Sequence, residues 1–147
     1  MTRHRYDCRV RFSDVDVYGH VNNVNYFEYY QEARLSFLTS LGRTPGSTSA
    51  EAATTGHGGD AFSSGLVAAR IDVDYKRPIL FRTEPYVVES WVTRVGESSF
   101  GLAAEIKDGD QVLSRAEAVL VAFDLVTQSS RPLTATERGR LSGVTEG

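Results

Sequence analysis

The residues best suited to chemistry lie in one stretch near the start of the chain. Asp14 and Asp16 are followed by a Gly-His pair ending in His20 and by two asparagines, Asn22 and Asn23. A carboxylate can attack a carbonyl group or accept a proton, and a histidine can move protons near neutral pH. The same residues also suit simpler roles, because aspartates often bond to turn amides and asparagines often cap helices.

The composition favours no metal centre or disulfide. Two carboxylates could bind a cation, but no third or fourth ligand is evident beside Asp14 and Asp16. Cys8 is the only cysteine, so it cannot form an internal disulfide or a zinc site with a second thiolate. Its place in an alternating apolar segment predicts a buried packing residue rather than a nucleophile.

A strand and a helix should position the acidic motif. Apolar and charged residues alternate over 6–12, which is typical of a strand with one buried face. The following apolar residues recur at steps of three or four, which predicts a helix that Asn22 or Asn23 could cap and Gly42 could end. This predicted stripe comprises Tyr26, Tyr30, Ala33, Phe37 and Leu41.

The rest of the chain is predicted to form mainly strands. Residues 43–65 are rich in Gly, Ser, Thr and Ala and are predicted to form a loop. Four strands should follow, over 67–75, 86–95, 100–106 and 111–124, and Asp108-Gly109 is a hairpin signal. The polar end has at most a short helix after Thr134. This order predicts an α+β fold, with an antiparallel sheet packed on one helix and an edge available to another subunit.

Length and charge narrow the classes of function. At 147 residues the chain is expected to form a single domain over 1–147, with its core at about 5–125. A net charge of −3 provides no broad basic field for nucleic acid. No signal-peptide core and no run of about 18 apolar residues is evident, so we expect a cytoplasmic protein without a membrane partner.

The motif from Asp14 to Tyr26, D-x-D-x-x-G-H-V-N-N-x-x-Y, resembles the signature of the 4-hydroxybenzoyl-CoA thioesterase family of hotdog proteins. It is similar also to bacterial acyl-CoA thioesterases and plant acyl-ACP thioesterases. The resemblance extends through Glu32-Ala33-Arg34 and to the YKRPILF segment, residues 75–81. It implies a hotdog fold, in which an antiparallel sheet wraps around one long central helix.

The resemblance also implies catalytic roles. Asp16 matches the catalytic aspartate, which acts as nucleophile or general base on an acyl-CoA thioester, while Asp14 is structural. Asn23 falls near the helix start, where its backbone N–H would donate to the thioester carbonyl. His20 and Asn22 would orient water or the acyl group. No cofactor is implied, because coenzyme A carries the substrate.

The resemblance identifies the substrate-binding residues less directly than the catalytic ones. Tyr26 and Tyr30 are expected to line the acyl pocket or the dimer seam, although core packing would also explain them. The family's basic run is reduced here to Arg94, and its Gly-Asp pair after the Arg-Pro turn is Arg82-Thr83. Contacts to the phosphates of coenzyme A would therefore fall to Lys76, Arg77, Arg82 and Arg94, which could equally be ordinary surface charges.

Hotdog enzymes place the acyl-thioester site between subunits, so the resemblance implies a homodimer or homotetramer. A carrier-protein thioesterase and a noncatalytic acyl-thioester-binding protein remain alternatives. Preference for a carrier-bound substrate would favour the first, and tight binding without turnover would favour the second.

Overall fold

The computed structural model describes residues 3–42 and 65–146. The predicted loop 43–65 therefore lies outside the described residues except for Gly65. The main elements, in chain order, are β1 (His4–Cys8), a 3₁₀ turn (Phe12–Asp14), α1 (Asn25–Gly42), β2 (Leu66–Tyr75), β3 (Tyr86–Val95), β4 (Ser99–Asp108), β5 (Gln111–Asp124), β6 (Ser129–Ser130) and α2 (Ala135–Ser142).

The strands form one antiparallel sheet in the order β1-β3-β4-β5-β2, with β6 paired to the end of β5. Strands β3, β4 and β5 are joined by tight turns. At the β4–β5 turn, Asp108 pairs with Gln111 and Gly109 has a φ of +60°, a conformation that glycine adopts without strain. The predicted hairpin at Asp108-Gly109 is thus confirmed.

Helix α1 packs against one face of the sheet, which confirms the predicted pairing of a helix with an antiparallel sheet. Its buried stripe includes Tyr26, Tyr30, Ala33 and Phe37, as the spacing predicts. These side chains join alternate residues of β3, β4 and β5 in two neighbouring apolar clusters. Cys8 belongs to the first cluster and is 1% exposed, so its predicted packing role is also confirmed.

A second helix, α2, follows the sheet, so residues 3–42 and 65–146 contain two helices, the long α1 and the short α2. It begins where the sequence allowed a short helix. The Thr134 hydroxyl accepts a hydrogen bond from the Glu137 N–H, and the Glu137 carboxylate accepts one from the Thr134 N–H. This capping box satisfies amides that the first helical turn leaves unpaired. Arg131 also pairs with Glu137, at 2.8 Å.

The first strand is shorter than the alternation predicts. It ends at Cys8, and Phe12 starts a 3₁₀ turn in which its ring is 79% exposed rather than buried. The Asp14 carboxylate accepts a hydrogen bond from the Arg11 N–H and bends the chain away from the strand direction. The Phe12 ring instead meets the Phe81 ring edge-on, with centroids 5.8 Å apart.

Strand β2 occupies one edge of the sheet and is largely exposed along its length. Its register against β5 shifts between Ala68 and Arg70, so the strand is bulged there. Its other edge has no partner strand within the described part of the chain. None of the described helices has both the length and the apolar character needed to cross a membrane.

Candidate active site

Asp16 opens a tight loop that ends at His20. Val15 and Val21 form an antiparallel bridge, and the Asp16 N–H donates to the His20 carbonyl at 2.8 Å. The Gly19 N–H donates to the Asp16 carbonyl at 3.0 Å, and Gly19 adopts a φ of +77° that closes the turn. The glycine of the Gly-His pair is therefore explained by the shape of this loop.

The Asp16 side chain is exposed and held in place by backbone amides. Its Oδ1 accepts hydrogen bonds from the Tyr18 N–H at 2.9 Å and the His20 N–H at 3.2 Å. Across residues 3–42 and 65–146, no group is bonded to Oδ2. The carboxylate thus has one oxygen fixed by the loop and one oxygen open to a ligand or water.

Asp14, two residues earlier, is 3% exposed and fully engaged. Its Oδ2 accepts hydrogen bonds from the Tyr29 hydroxyl at 2.6 Å and from Nε and the N–H of Arg11, both at 3.1 Å. Burial alone would raise the pKa of Asp14, but the bonds from Tyr29 and Arg11 outweigh it and lower the pKa below its ordinary value. Asp14 ties the loop to α1.

Asn22 connects the acidic loop to the helix. Its N–H donates to the Asp14 carbonyl at 2.8 Å, and its side-chain oxygen accepts from the Val24 N–H at 3.3 Å. Its own carbonyl accepts from the Asn25 N–H at 2.9 Å. Of the two predicted capping residues, Asn22 is the one that holds the turn into α1.

Asn23 lies just before the first helical residue, Asn25. Its carbonyl accepts a hydrogen bond from the Tyr75 hydroxyl at 2.9 Å, which joins the end of β2 to the start of α1. Its N–H has no acceptor among the described residues. An unpaired amide beside a helix N-terminus, with its partial positive charge, is a donor suited to an anionic oxygen.

His20 is half-buried at the other end of the loop. Its backbone forms a bridge with Leu80, and the Val21 N–H donates to the Ile79 carbonyl at 2.8 Å. The ring lies beside the Tyr18 ring, with centroids 6.4 Å apart. The structure thus brings His20, Asp16 and Asn22 into one hydrogen-bonded segment.

The two predicted pocket tyrosines are both buried in the core. Tyr26 packs edge-on against Tyr75, with ring centroids 4.7 Å apart. Tyr30 donates from its hydroxyl to the Ser114 Oγ at 2.7 Å, and Ser114 donates to the Asp74 carbonyl at 2.8 Å. Burial raises the pKa of Tyr30, so its hydroxyl remains a donor.

The four predicted phosphate-binding cations are not brought together within one chain. Lys76 and Arg77 are exposed directly after Tyr75, close to the helix start, and their N–H groups both donate to the Leu113 carbonyl at 3.0 Å. Arg94 pairs in register with Gly101, at the opposite end of the sheet from Tyr75. The two ends are separated by most of the length of β3.

Arg82 is engaged within its own loop. It lies 3.0 Å from Asp108, donates to the carbonyls of Glu84 and Pro85, and stacks over the Tyr86 ring at 3.7 Å. Arg82 therefore stabilises the segment before β3.

Three residues that hold this region together are not identified by the sequence motif. Tyr29 and Arg11 hold Asp14, and Tyr75 reaches the Asn23 carbonyl. Tyr29 lies three positions after Tyr26, so its helical spacing could have shown that it faces inward. The position of Tyr75 depends on the packing of β2 on α1, which no local pattern encodes.

Known proteins match the chain over most of its length. A family model described as the thioesterase-like superfamily matches residues 10–138. The long-chain acyl-CoA thioesterase FadM of Escherichia coli strain K12 is 28% identical over 136 residues, which cover 90% of this chain and 92% of FadM. A shorter match, 50% identical over 32 residues, covers 22% of this chain and 22% of the uncharacterized protein YsmA of Bacillus subtilis strain 168.

A solved structure agrees with these matches. The thioesterase of Thermus thermophilus, crystallised with coenzyme A and zinc, is 27% identical with a TM-score of 0.73. The superposition covers 95% of this chain and 91% of the Thermus chain. The chain therefore belongs to the thioesterase-like superfamily, its fold matches those of hotdog thioesterases, and its relatives point to a thioester hydrolase.

Proposed function

We propose that this protein hydrolyses an acyl-CoA thioester, with Asp16 as the catalytic carboxylate and the start of α1 as the oxyanion donor. One observation carries the proposal. The open Oδ2 of Asp16 and the unpaired N–H of Asn23 belong to one continuous loop, which Asp14 and Asn22 fasten to the helix. A carboxylate can supply the nucleophile or base of acyl transfer, and an amide donor can stabilise the oxyanion.

Two reaction courses fit this arrangement. In the first, Oδ2 of Asp16 attacks the thioester carbon, the C–S bond breaks with its electron pair leaving on sulfur, and water hydrolyses the resulting mixed anhydride. In the second, Asp16 takes a proton from a water molecule as that water attacks the carbon. In both courses the thiolate leaves as coenzyme A and gains a proton from solvent.

The helix start would stabilise the negative oxygen that forms during attack. The Asn23 N–H would donate to it, and the dipole of α1 would add to the effect. An oxyanion donor of this kind is typically worth about 2.7–4 kcal/mol. His20 and Asn22, in the same loop, would orient the attacking water.

We further propose that the working form is a homo-oligomer that pairs through the exposed edge of β2. This strand presents ten residues with an unpaired outer edge within the described structure, and such edges commonly pair with another chain. A partner subunit on this edge would lie beside Tyr75 and the start of α1.

Lys76 and Arg77 are the cations best placed to hold the phosphates of coenzyme A. Both are exposed, and both follow Tyr75, which contacts Asn23. Arg82 is occupied by Asp108 and by carbonyl groups, and Arg94 would reach the site only from another subunit.

The test is release of free thiol from a panel of short, medium, long and aromatic acyl-CoAs, with the oligomeric state measured in parallel by sedimentation. Turnover of at least one substrate, by a species larger than a monomer, supports the proposal. Tight binding of acyl-CoA without thiol release would contradict hydrolysis and leave a binding protein. Turnover only of carrier-protein thioesters would replace coenzyme A as the substrate carrier.

A further inference from the structure

A row of small side chains crosses the sheet beneath the middle of α1. Ser90, Ala104 and Ala116 pair in register across β3, β4 and β5, and all three are buried on the face that carries the helix. Together with Ala118 they leave space under Tyr30 and Arg34. This space is a cavity of about 20 Å³, which we call the inner trough.

Two polar groups line the inner trough without a partner. Ser90 is 1% exposed, and its Oγ makes no hydrogen bond to any described residue. Arg34 is half-buried, and no described residue forms a hydrogen bond or ion pair with its guanidinium. Burial lowers the pKa of Arg34, as expected for a cation without a counter-charge.

Such groups are costly unless a ligand completes them. A buried hydroxyl without a partner destabilises the folded state, and partial burial of a cation without a counter-charge does so too. Tyr30 is not a partner of Ser90, and its hydroxyl donates to Ser114 instead. A carboxylate would satisfy both unpaired groups, since guanidinium N–H groups and a serine O–H all donate.

The trough lies beneath α1, farther along the helix than the start where the proposed site holds the thioester. Arg34 is roughly 16 Å along the helix from Asn23, at a rise of 1.5 Å per residue. The remaining walls include Ile71 and Leu102, which suit a hydrocarbon chain. The cavity has room for about one water molecule, so only the end of a chain would fit, with the flexible Arg34 side chain moving to admit it.

We propose that the inner trough binds the distal end of the acyl group, and that Arg34 and Ser90 select acyl thioesters whose distal end carries a carboxylate. The substrate class is then the mono-thioesters of dicarboxylic acids. This inference rests on the proposed hydrolysis. An alkyl terminus would fill the apolar walls but leave both polar groups unpaired.

The experiment compares substrates of equal length that differ only at the distal end. The pairs are hexanoyl- with hexanedioyl-CoA, octanoyl- with octanedioyl-CoA, and dodecanoyl- with dodecanedioyl-CoA. The wild type should favour the carboxylate-bearing member of at least one pair by about tenfold in kcat/KM, the effect of one charge-assisted hydrogen bond. Arg34→Met should abolish this preference, Ser90→Ala should reduce it, and Arg34→Lys should retain part of it.

Arg5→Met is the matched control, because Arg5 is an exposed arginine of β1 outside the trough. It should leave the preference unchanged, and melting temperatures should show that every variant is folded. A wild-type preference for alkyl ends in all pairs, or a preference that survives Arg34→Met, overturns the inference.

If no acyl-CoA is turned over, the proposed hydrolysis fails. Titration calorimetry with free dodecanedioate and dodecanoate then tests whether the inner trough binds a carboxylate. If the wild type binds the dicarboxylate more tightly and Arg34→Met loses this difference, the result supports carboxylate binding in the inner trough. Equal binding of the two acids overturns it.

Discussion

Asp14 and Asp16 are the same residue type two positions apart, yet they occupy opposite environments. Asp14 is buried and accepts hydrogen bonds from Tyr29, Arg11 and Asn25, whereas the Asp16 carboxylate is exposed and, within the described part of the chain, accepts only from amides of its own loop. A buried carboxylate whose two oxygens both accept hydrogen bonds from the protein is shielded from substrate. Asp14 therefore holds the loop in place, whereas Asp16 is the carboxylate that the loop exposes to a ligand.

Asp16→Asn should remove catalysis and leave the loop intact. We expect thiol release to fall by about 10²–10⁴-fold, because the amide cannot act as nucleophile or base. The melting temperature should stay close to that of the wild type, since the Asn side-chain oxygen can still accept from the loop amides. Asp7→Asn, which changes an exposed aspartate of β1, is the control and should retain activity. Near-full hydrolysis by a folded Asp16→Asn protein would remove Asp16 from the mechanism.

Asp14→Asn should have the opposite signature. Loss of the charged acceptor of Tyr29 and Arg11 should lower the free energy of unfolding by about 1–3 kcal/mol. Urea unfolding measures this change, and activity at low denaturant measures how far the loop has shifted. If stability is unchanged while hydrolysis is lost, Asp14 acts in chemistry and the two roles must be exchanged.

Tyr29→Phe removes one hydrogen bond from Asp14 and none from Asp16. We expect a loss of about 1–2 kcal/mol in unfolding free energy, because a buried carboxylate loses a donor. The effect should nearly vanish when Asp14→Asn is already present, and a double-mutant cycle measures that coupling. Full additivity would show that the 2.6 Å contact contributes nothing.

The smallest expected effect is the pH dependence of the Asp14 contribution. The folded state lowers the pKa of Asp14, so its stabilisation is fully present above the unfolded-state value of 3.8 and is lost as pH falls through the lower folded value. The stability difference between wild type and Asp14→Asn should therefore narrow on acidification below about pH 4. Unfolding curves at a series of pH values test this, and a difference that widens on acidification would contradict the assigned sign.

The local patterns were sufficient for most of the elements. Helical spacing predicted the buried stripe of α1, and Asp108-Gly109 predicted the β4–β5 turn, because both depend on residues close in sequence. The alternation that extended the first strand to Phe12 failed because the Asp14 side chain bonds to the Arg11 N–H. The assignment of a thioesterase came from the resemblance of the acidic motif, and the family match supports it.

The sequence by itself determined the α+β class, the order of the elements and the place of the acidic motif between strand and helix. Only the tertiary structure decided which aspartate is buried, because that depends on Tyr29 of α1 closing over Asp14. Only the tertiary structure shows the hydrogen bond from Tyr75 to Asn23. Only the tertiary structure brings Arg34 and Ser90 to the same cavity. Hydrogen bonds and burial between residues distant along the chain follow from packing, and no spacing in the sequence encodes them.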